Sequence, residues 1–211
     1  MNYYHLNPLI EALRELVGDE PLIEPLASVL ADACIHASIP YDSIINRAES
    51  DAQELILAAW DWKLLIPRRC AACGEWDHRL LVTSPGEIYE MPNIIRYLVQ
   101  KAGAGGAWDV QTAVADLYHD MGEPQWEKMP ELVFRLGRQA ERFVVSAGEI
   151  NAACRNSGFY YRTGSLILIL KGGGIISPKL AAGPAAAKRH SPLYELNPSL
   201  YPHRREDAAT T

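Results

Sequence analysis

Two cysteines and a histidine in the first half of the chain have the spacing of metal ligands. Cys70 and Cys73 are separated by two residues, and His78 follows after four more. A two-residue gap lets both thiolate sulfurs reach one tetrahedral zinc ion, and histidine commonly completes such a set. The next ligand would be expected at position 83, which is Thr83. The spacing therefore predicts an incomplete zinc site.

This cysteine pair has three interpretations from the sequence. If it binds zinc, Asp77, Cys34 or a second chain must supply the fourth ligand. A redox-responsive dithiol and a pair of incidental loop cysteines are the alternatives. A thioredoxin-like role is disfavoured, because a hairpin loop lacks the helix N-terminus that lowers a thiol pKa. We expect no cofactor other than this zinc.

The rest of the sequence contains no recognisable catalytic pattern. Its histidines are scattered, and it has no Gly-x-Ser-x-Gly, His-Glu-x-x-His or phosphate-binding loop motif. The three glycines at 172–174 follow a predicted helix, whereas a phosphate-binding loop precedes one. We therefore expect that the protein is not an enzyme.

Length and composition indicate two small globular units. The chain has 211 residues, of which 48% are hydrophobic and 22% charged, enough for two cores of about 100 residues each. Its apolar runs are far shorter than the roughly 18 residues that span a bilayer, and its first residues do not resemble a signal peptide. We expect a cytoplasmic protein that does not enter a membrane.

The charge is distributed unevenly along the chain. The net charge is −6, yet residues 151–205 contain eight lysines and arginines and a single acid, Glu195. Residues 1–105 contain 8 basic and 15 acidic side chains. A basic segment in an otherwise acidic chain indicates a surface where a polyanion such as nucleic acid docks, although a solvated basic surface is also common.

A sequence segment occurs twice, which indicates a duplicated fold. Residues 54–68 align without a gap on residues 165–179, and residues 89–91 align on 194–196. Each copy is an apolar helix that breaks, followed by a short strand closed by a proline and a basic residue. We therefore expect residues 40–92 and 149–198 to superpose, with a longer loop after Pro67 than after Pro178.

Hydrophobic periodicity, turn residues and caps predict the elements of each unit. For the first unit they predict helices over 8–17, 24–37, 43–48 and 93–101, a further helix that follows the cap at 49–51 and turns Leu55, Ile56, Ala59 and Trp60 towards the core, and strands over 64–66, 79–82 and 88–91. For the second unit they predict helices over 108–121, 130–145, 149–156 and 160–171, and strands over 175–177 and 193–196. The expected domains are 1–102 and 108–203, joined by a glycine-rich linker at 103–107 and followed by a frayed tail at 204–211.

Helix, tight turn, second helix, strand, loop and strand is the order of a winged helix-turn-helix domain. Residues 149–198, with Ser157-Gly158 in the turn and Ile175-Ile176-Ser177 in the first strand, resemble that superfamily, and the first unit presents the same order. The fold expected is mainly α with small antiparallel β-hairpins, as two tandem copies. The resemblance implies binding of double-stranded DNA, with the second helix in the major groove and the wing on the backbone.

The second unit carries the side chains that such a role requires. Arginine and asparagine pair with guanine and adenine, and lysine and arginine contact phosphates. The expected DNA-binding residues are Arg155, Asn156, Tyr160, Tyr161, Arg162, Thr163, Lys179, Lys188, Arg189 and His190. We therefore expect a DNA-binding transcriptional regulator that uses the second unit.

The first unit departs from this pattern, because its corresponding helix begins with Glu49, Asp51 and Glu54, which would repel phosphate. It is expected to act as a scaffold, or as a surface for a homodimer or another protein. Two other functions are therefore open: a protein-interaction module within a larger complex, and a regulator that responds to metal or redox state through Cys70 and Cys73.

Overall fold

The computed structural model describes residues 6–18, 21–69, 75–76, 79, 81–160, 163–179 and 191–202. The first half contains α1 (Leu6–Val17), α2 (Ile23–His36), β1 (Ser38–Pro40), α3 (Tyr41–Ala48), α4 (Ala52–Asp61), β2 (Ile66–Pro67), β3 (Ile88–Glu90) and α5 (Asn93–Gly105). The second half contains α6 (Val110–Asp120), α7 (Met129–Gln139), β4 (Val144–Ser146), α8 (Ala147–Asn156), α9 (Thr163–Gly173), β5 (Ile176–Lys179) and β6 (Leu193–Leu196). Short 3-10 turns cover Glu49–Asp51, Trp126–Lys128 and Pro198–Leu200. The fold is mainly helical with two small antiparallel sheets, which confirms the predicted α+β class.

The two halves repeat one order of elements and one sheet topology. The strand order is β1-β3-β2 in the first sheet and β4-β6-β5 in the second, and all pairs are antiparallel. Tyr89 pairs with Pro67 across the first sheet, and Tyr194 pairs with Pro178 across the second. These are the residues that the sequence alignment made equivalent, so the register of the sheets agrees with the alignment.

The turns that end α4 and α9 are also equivalent in detail. Each contains one residue with left-handed backbone, Lys63 at φ 52° and Gly174 at φ 76°. In both, the following amide donates five residues back, from Leu64 to Ala59 at 2.8 Å and from Ile175 to Leu170 at 3.0 Å. Glycine adopts this conformation freely, whereas a lysine there costs roughly 1–2 kcal/mol. The turn geometry is therefore kept even where the residue type does not favour it.

The structure has strands before α3 and α8 that were not predicted from the sequence. The sequence patterns assign no strand between the helices predicted over 24–37 and 43–48, where β1 lies, and they predict a helix through residue 145, where α7 ends at Gln139 and β4 follows. Arg142 and Phe143 form the intervening turn with φ of 48° and 60°. Neither is glycine or proline, so the turn has no sequence signal, and the apolar residues after it continue the helical period.

Two further assignments differ from the sequence prediction. The expected linker at 103–107 is largely helical, because α5 continues through Gly105 and Gly106 closes it with φ of 73°. Ala102 and Gly103 are buried there, so small side chains serve packing at this point rather than flexibility. The strand predicted over 79–82 is wrong for the described residues 81–82, which have no regular structure.

The two halves pack through reciprocal contacts, and one buried core cluster contains residues of both. The side chain of Asn197, which follows β6, donates to the carbonyl oxygen of Lys63 at 3.3 Å in the turn after α4. The side chain of Asn93, which follows β3, donates to the carbonyl oxygen of Gly172 at 3.0 Å at the end of α9. In each half, the residues after the central strand thus contact the end of α4 or α9 in the other half. Symmetric copies form interfaces of this reciprocal kind.

Beyond this contact, α5 joins the halves by packing on both α1 and α6. Tyr97 donates to Asp120 at 2.6 Å, and Lys101 forms an ion pair with Asp116. The hydrogen bond to Asp120 is the main cause that raises the pKa of Tyr97 to about 12, and the same bond lowers the pKa of Asp120.

Across the described parts of the chain, no helix is both long enough and apolar enough to cross a bilayer.

Candidate interaction surfaces

Four of the residues predicted to contact DNA lie together at the corner between α8 and α9. Arg155 and Asn156 end α8 and are exposed, and Tyr160 follows in the turn with 64% of its surface exposed. Thr163 begins α9, and its hydroxyl donates to the side-chain oxygen of Asn151 at 2.7 Å. The threonine hydroxyl therefore links the two helices, while the other three side chains are open to a ligand.

The start of α8 is fixed by its sequence. Ser146 accepts a hydrogen bond from the amide of Glu149 at 3.2 Å, and the Glu149 carboxylate accepts one from the amide of Ser146 at 2.6 Å. This reciprocal capping satisfies two amides that the helix itself leaves without partners. Because β4 leads directly into the cap, the direction of α8 is set by the second sheet.

Apart from Lys179, the other predicted site residues lie outside the described part of the chain. They are Tyr161, Arg162, Lys188, Arg189 and His190 of the predicted DNA surface, and Cys70, Cys73 and His78 of the predicted zinc site. Within the residues that the structure does describe, no group of three or more His, Cys, Asp or Glu side chains is placed to hold a metal ion. Cys34 and Cys154 are buried, and burial raises the pKa of the Cys154 thiol to about 11.

Lys179 is part of an ion-pair arrangement that both sheets share. Its Nζ lies 4.0 Å from Oε2 of Glu195 on the central strand, and Nζ of Lys63 lies 4.0 Å from Oε1 of the same carboxylate. In the first sheet, Nε of Arg68 lies 3.0 Å from Oε1 of Glu90. Arg68 aligns with Lys179, and Glu90 aligns with Glu195. The single acid of the basic segment therefore offsets the charge of Lys179, which weakens the case for this lysine as a phosphate contact.

The outer faces of α4 and α9 expose an apolar side chain at the same place. Leu57 on α4 is 50% exposed and Leu168 on α9 is 68% exposed, and the gapless alignment makes the two equivalent. Their neighbours Leu55 and Leu166 are both fully buried, so the two helices present the same sides to their cores. We call the exposed side chains of Leu57 and Leu168 the paired leucine face.

The helix α9 carries little positive charge. Its one basic residue is Lys171 in the last turn, where Nζ lies 4.0 Å from Oε1 of Glu75. The exposed positions before it are Gly164, Ser165 and Leu168. A helix that enters the major groove meets phosphates and base edges, which are contacted by basic and amide side chains. The described surface of α9 offers such groups only at its two ends.

Leu57 and Leu168 were not identified from the sequence as exposed surface residues. The signal was present in the alignment, since Leu57 and Leu168 occupy the same column. The run from Leu166 to Leu170 is also continuous, and a helix that packs on one side cannot bury five consecutive side chains. The apolar residue left outside is the one that the structure exposes.

Comparison with known proteins identifies the family of the chain. No curated protein and no solved structure matches the chain. A protein-family model matches residues 7–204, a range that includes both halves of the duplicated fold. The chain belongs to the family that this model defines.

Proposed function

We propose that each half is a winged helix-turn-helix unit, and that the chain is a protein-interaction module that assembles with another protein. The winged-helix assignment is supported by the order helix, strand, helix, helix, strand, strand in α2 to β3 and in α7 to β6. It is also supported by the sheet order, in which the last strand lies between the other two in each half. In this scheme α4 and α9 are the two helices that a DNA-binding member would place in a groove.

The single observation that carries the proposal is the paired leucine face. An exposed leucine on a helix that enters DNA would meet phosphates and water, whereas on a protein partner it is removed from water. Full burial of a leucine side chain is worth about 1.5–3 kcal/mol. Leu57 and Leu168 are half to two-thirds exposed, so burial of either one against a partner contributes about 1–2 kcal/mol to association.

The charge of the first half supports the same choice of partner. Glu49, Asp51 and Glu54 are all exposed at the start of α4, and these acids would repel a phosphate backbone. Around an apolar contact they instead form a polar rim, and complementary rim charges raise association rates and specificity. We expect a partner whose contact surface combines an apolar patch with basic side chains on the side that meets α4.

DNA binding by the second half is the other candidate, and one observation favours it. Arg155, Asn156 and Tyr160 are exposed together at the α8–α9 corner, in the segment that has eight basic residues and one acid. A regulator that binds DNA would use this corner and the start of α9. The two candidates make opposite predictions for the same titration.

Fluorescence anisotropy with a labelled random duplex, repeated over a range of salt concentrations, separates the two candidates. Under the protein-binding proposal, binding at physiological salt is weaker than about 10 µM and Arg155→Ala leaves it unchanged. A steep negative slope of log affinity against log salt, with an affinity that Arg155→Ala lowers, would contradict the proposal and support DNA binding. Asn7→Ala, an exposed substitution at the start of α1, is the control.

A further inference from the structure

We infer that the partner of the paired leucine face is a second copy of this chain, with α4 of each copy docked on α9 of the other. The inference rests on the proposed function, because it names the partner for the same surface. The two helices each have an exposed leucine near the middle, Leu57 in α4 and Leu168 in α9. The charges around these two leucines are opposite in sign, so the two surfaces complement each other.

The surface around Leu57 is acidic. Glu49 and Asp51 in the turn before α4, and Glu54 in its first turn, are all exposed. Residues 49–61 contain four acidic side chains and no lysine or arginine. Among the residues that the structure describes, no basic side chain forms an ion pair with any of these three exposed acids. Their charges are therefore available to a basic partner surface.

The surface around the leucine of α9 is basic at both ends of the helix. Arg155 is exposed at the corner before α9. Lys128 is exposed beside the same corner, with its Nζ 3.3 Å from the position that a Cβ on Gly158 would take. At the other end, Lys171 lies in the last turn of α9. Residues 155–172 contain three basic side chains and no acid. This surface thus combines an apolar side chain with basic neighbours, which is what the α4 surface requires.

The ends of α4 and α9 lie side by side, so one partner molecule can reach both leucines. The side chain of Asn197 donates to the carbonyl oxygens of both Lys63 and Gly174, at 3.3 and 3.4 Å. Leu57 precedes Lys63 by six residues, and Leu168 precedes Gly174 by six residues. Six residues advance a helix by about 9 Å. Both leucines are therefore only two turns away from one shared point.

A two-fold axis between two copies makes both contacts at once. When α9 of the second copy lies on α4 of the first, the same rotation places α4 of the second copy on α9 of the first. The interface then contains two equivalent contacts and closes as a dimer. Contacts between like helices are disfavoured, because α4 on α4 would bring two sets of exposed acids together and α9 on α9 would do the same for the basic side chains.

Sedimentation velocity of the full chain and of charge-reversed variants tests the inference. The unmodified chain should form a dimer with a dissociation constant in the micromolar range. One double variant, Glu49→Lys with Glu54→Lys, reverses the charge of the α4 surface. The other, Arg155→Glu with Lys128→Glu, reverses the charge beside α9. Each should dimerise at least about tenfold more weakly by itself. An equimolar mixture of the two should recover the dimer, because every α4 surface then meets an α9 surface of opposite charge.

A control variant separates the loss of this contact from a general effect of net charge. Glu11→Lys with Glu15→Lys makes the same change of charge at exposed positions of α1, and it should leave dimerisation unchanged. Circular dichroism should show the same helix content in all variants. Recovery of the dimer in the mixture also excludes misfolding, because an unfolded variant could not restore the contact.

Three results would overturn the inference. The first is a chain that stays monomeric up to about 500 µM. The second is a dimer that both double variants retain, which would locate the contact elsewhere. The third is a mixture no more dimeric than its two components.

Failure of the protein-binding proposal is a separate result, since it would appear as the absence of any protein adduct in photo-crosslinking at Leu57 and Leu168. A monomeric chain that crosslinks at Leu57 to a different polypeptide would overturn the second-copy inference and leave the protein-binding proposal in place.

Discussion

Replacing Asn197 by alanine is expected to destabilise the protein more than any exposed substitution. Asn197 is fully buried, and its amide group donates to the carbonyls of Lys63 at 3.3 Å and Gly174 at 3.4 Å. Its side-chain oxygen accepts from the amide of Ser199 at 3.1 Å and from the Ser199 hydroxyl at 2.6 Å. One side chain thus links the turns after α4 and α9 and holds the segment after β6.

The cost of Asn197→Ala can be worked from these four bonds. The two donated bonds are long and therefore weak, while the two accepted bonds have good distances. A net hydrogen bond contributes about 1 kcal/mol, and a buried group left without its partner costs about 1–3 kcal/mol. Because alanine satisfies none of the four groups, we expect a loss of about 3 kcal/mol. A slope of about 3 kcal/mol per molar urea then lowers the unfolding midpoint by about 1 M.

Urea unfolding followed by tryptophan fluorescence measures this loss, and Asn93→Ala is the matched control. Asn93 also follows a central strand and contacts the other half, although the alignment places it opposite Pro198, one residue after Asn197. It is exposed, and it donates one hydrogen bond to Gly172. We expect Asn93→Ala to cost only about 0.5 kcal/mol. A loss below about 1 kcal/mol for Asn197→Ala, or equal losses for the two variants, would refute the role given to the buried amide.

The remaining predictions concern α7, α9 and the contact between α5 and α6. Gly137→Ala should destabilise the protein by about 1–3 kcal/mol in urea unfolding, because its Cβ would overlap the ring of Tyr201. Gly164→Ala meets no atom within 4 Å and should stabilise the helix by up to about 1 kcal/mol; a loss there would contradict the helix assignment. The raised pKa of Tyr97 means that its bond to Asp120 stabilises the fold below the ordinary tyrosine pKa of 10.0 and is lost as pH rises towards about 12. Ultraviolet titration of Asp120→Asn should show this tyrosine ionising nearer its ordinary pKa, and an unchanged titration would exclude the bond.

Most helices could be predicted from the sequence because their apolar residues follow the helical period over several turns. The strands β2, β5, β3 and β6 were marked by the aligned Pro67 and Pro178 and by the aligned Tyr89 and Tyr194. The strands β1 and β4 were missed because the two aligned segments do not include them and because the apolar residues of β4 continue the helical period of α7. Both strands are fixed by pairing with a strand that is distant in the chain.

The candidate site was predictable only in part, for a similar reason. The exposure of Arg155 and Tyr160 at a helix corner follows from local sequence, and the structure agrees. The approach of Lys179 to Glu195 depends on the register of β5 against β6, which charge counting does not reveal. The exposure of Leu168 depends on which side of α9 meets the core. Sequence composition therefore indicated a basic ligand surface, and the structure adds an exposed apolar side chain on α9.

Photo-crosslinking in the cells that make this protein tests the protein-binding proposal most directly. The crosslinking amino acid p-benzoylphenylalanine replaces Leu57 or Leu168 in separate variants, with Ile35, a 57% exposed residue at the end of α2, as the control position. The account predicts discrete adducts at positions 57 and 168 that are digested by protease, resist nuclease and are absent at position 35. Adducts at position 168 that nuclease removes, or yields no higher than at position 35, would contradict it.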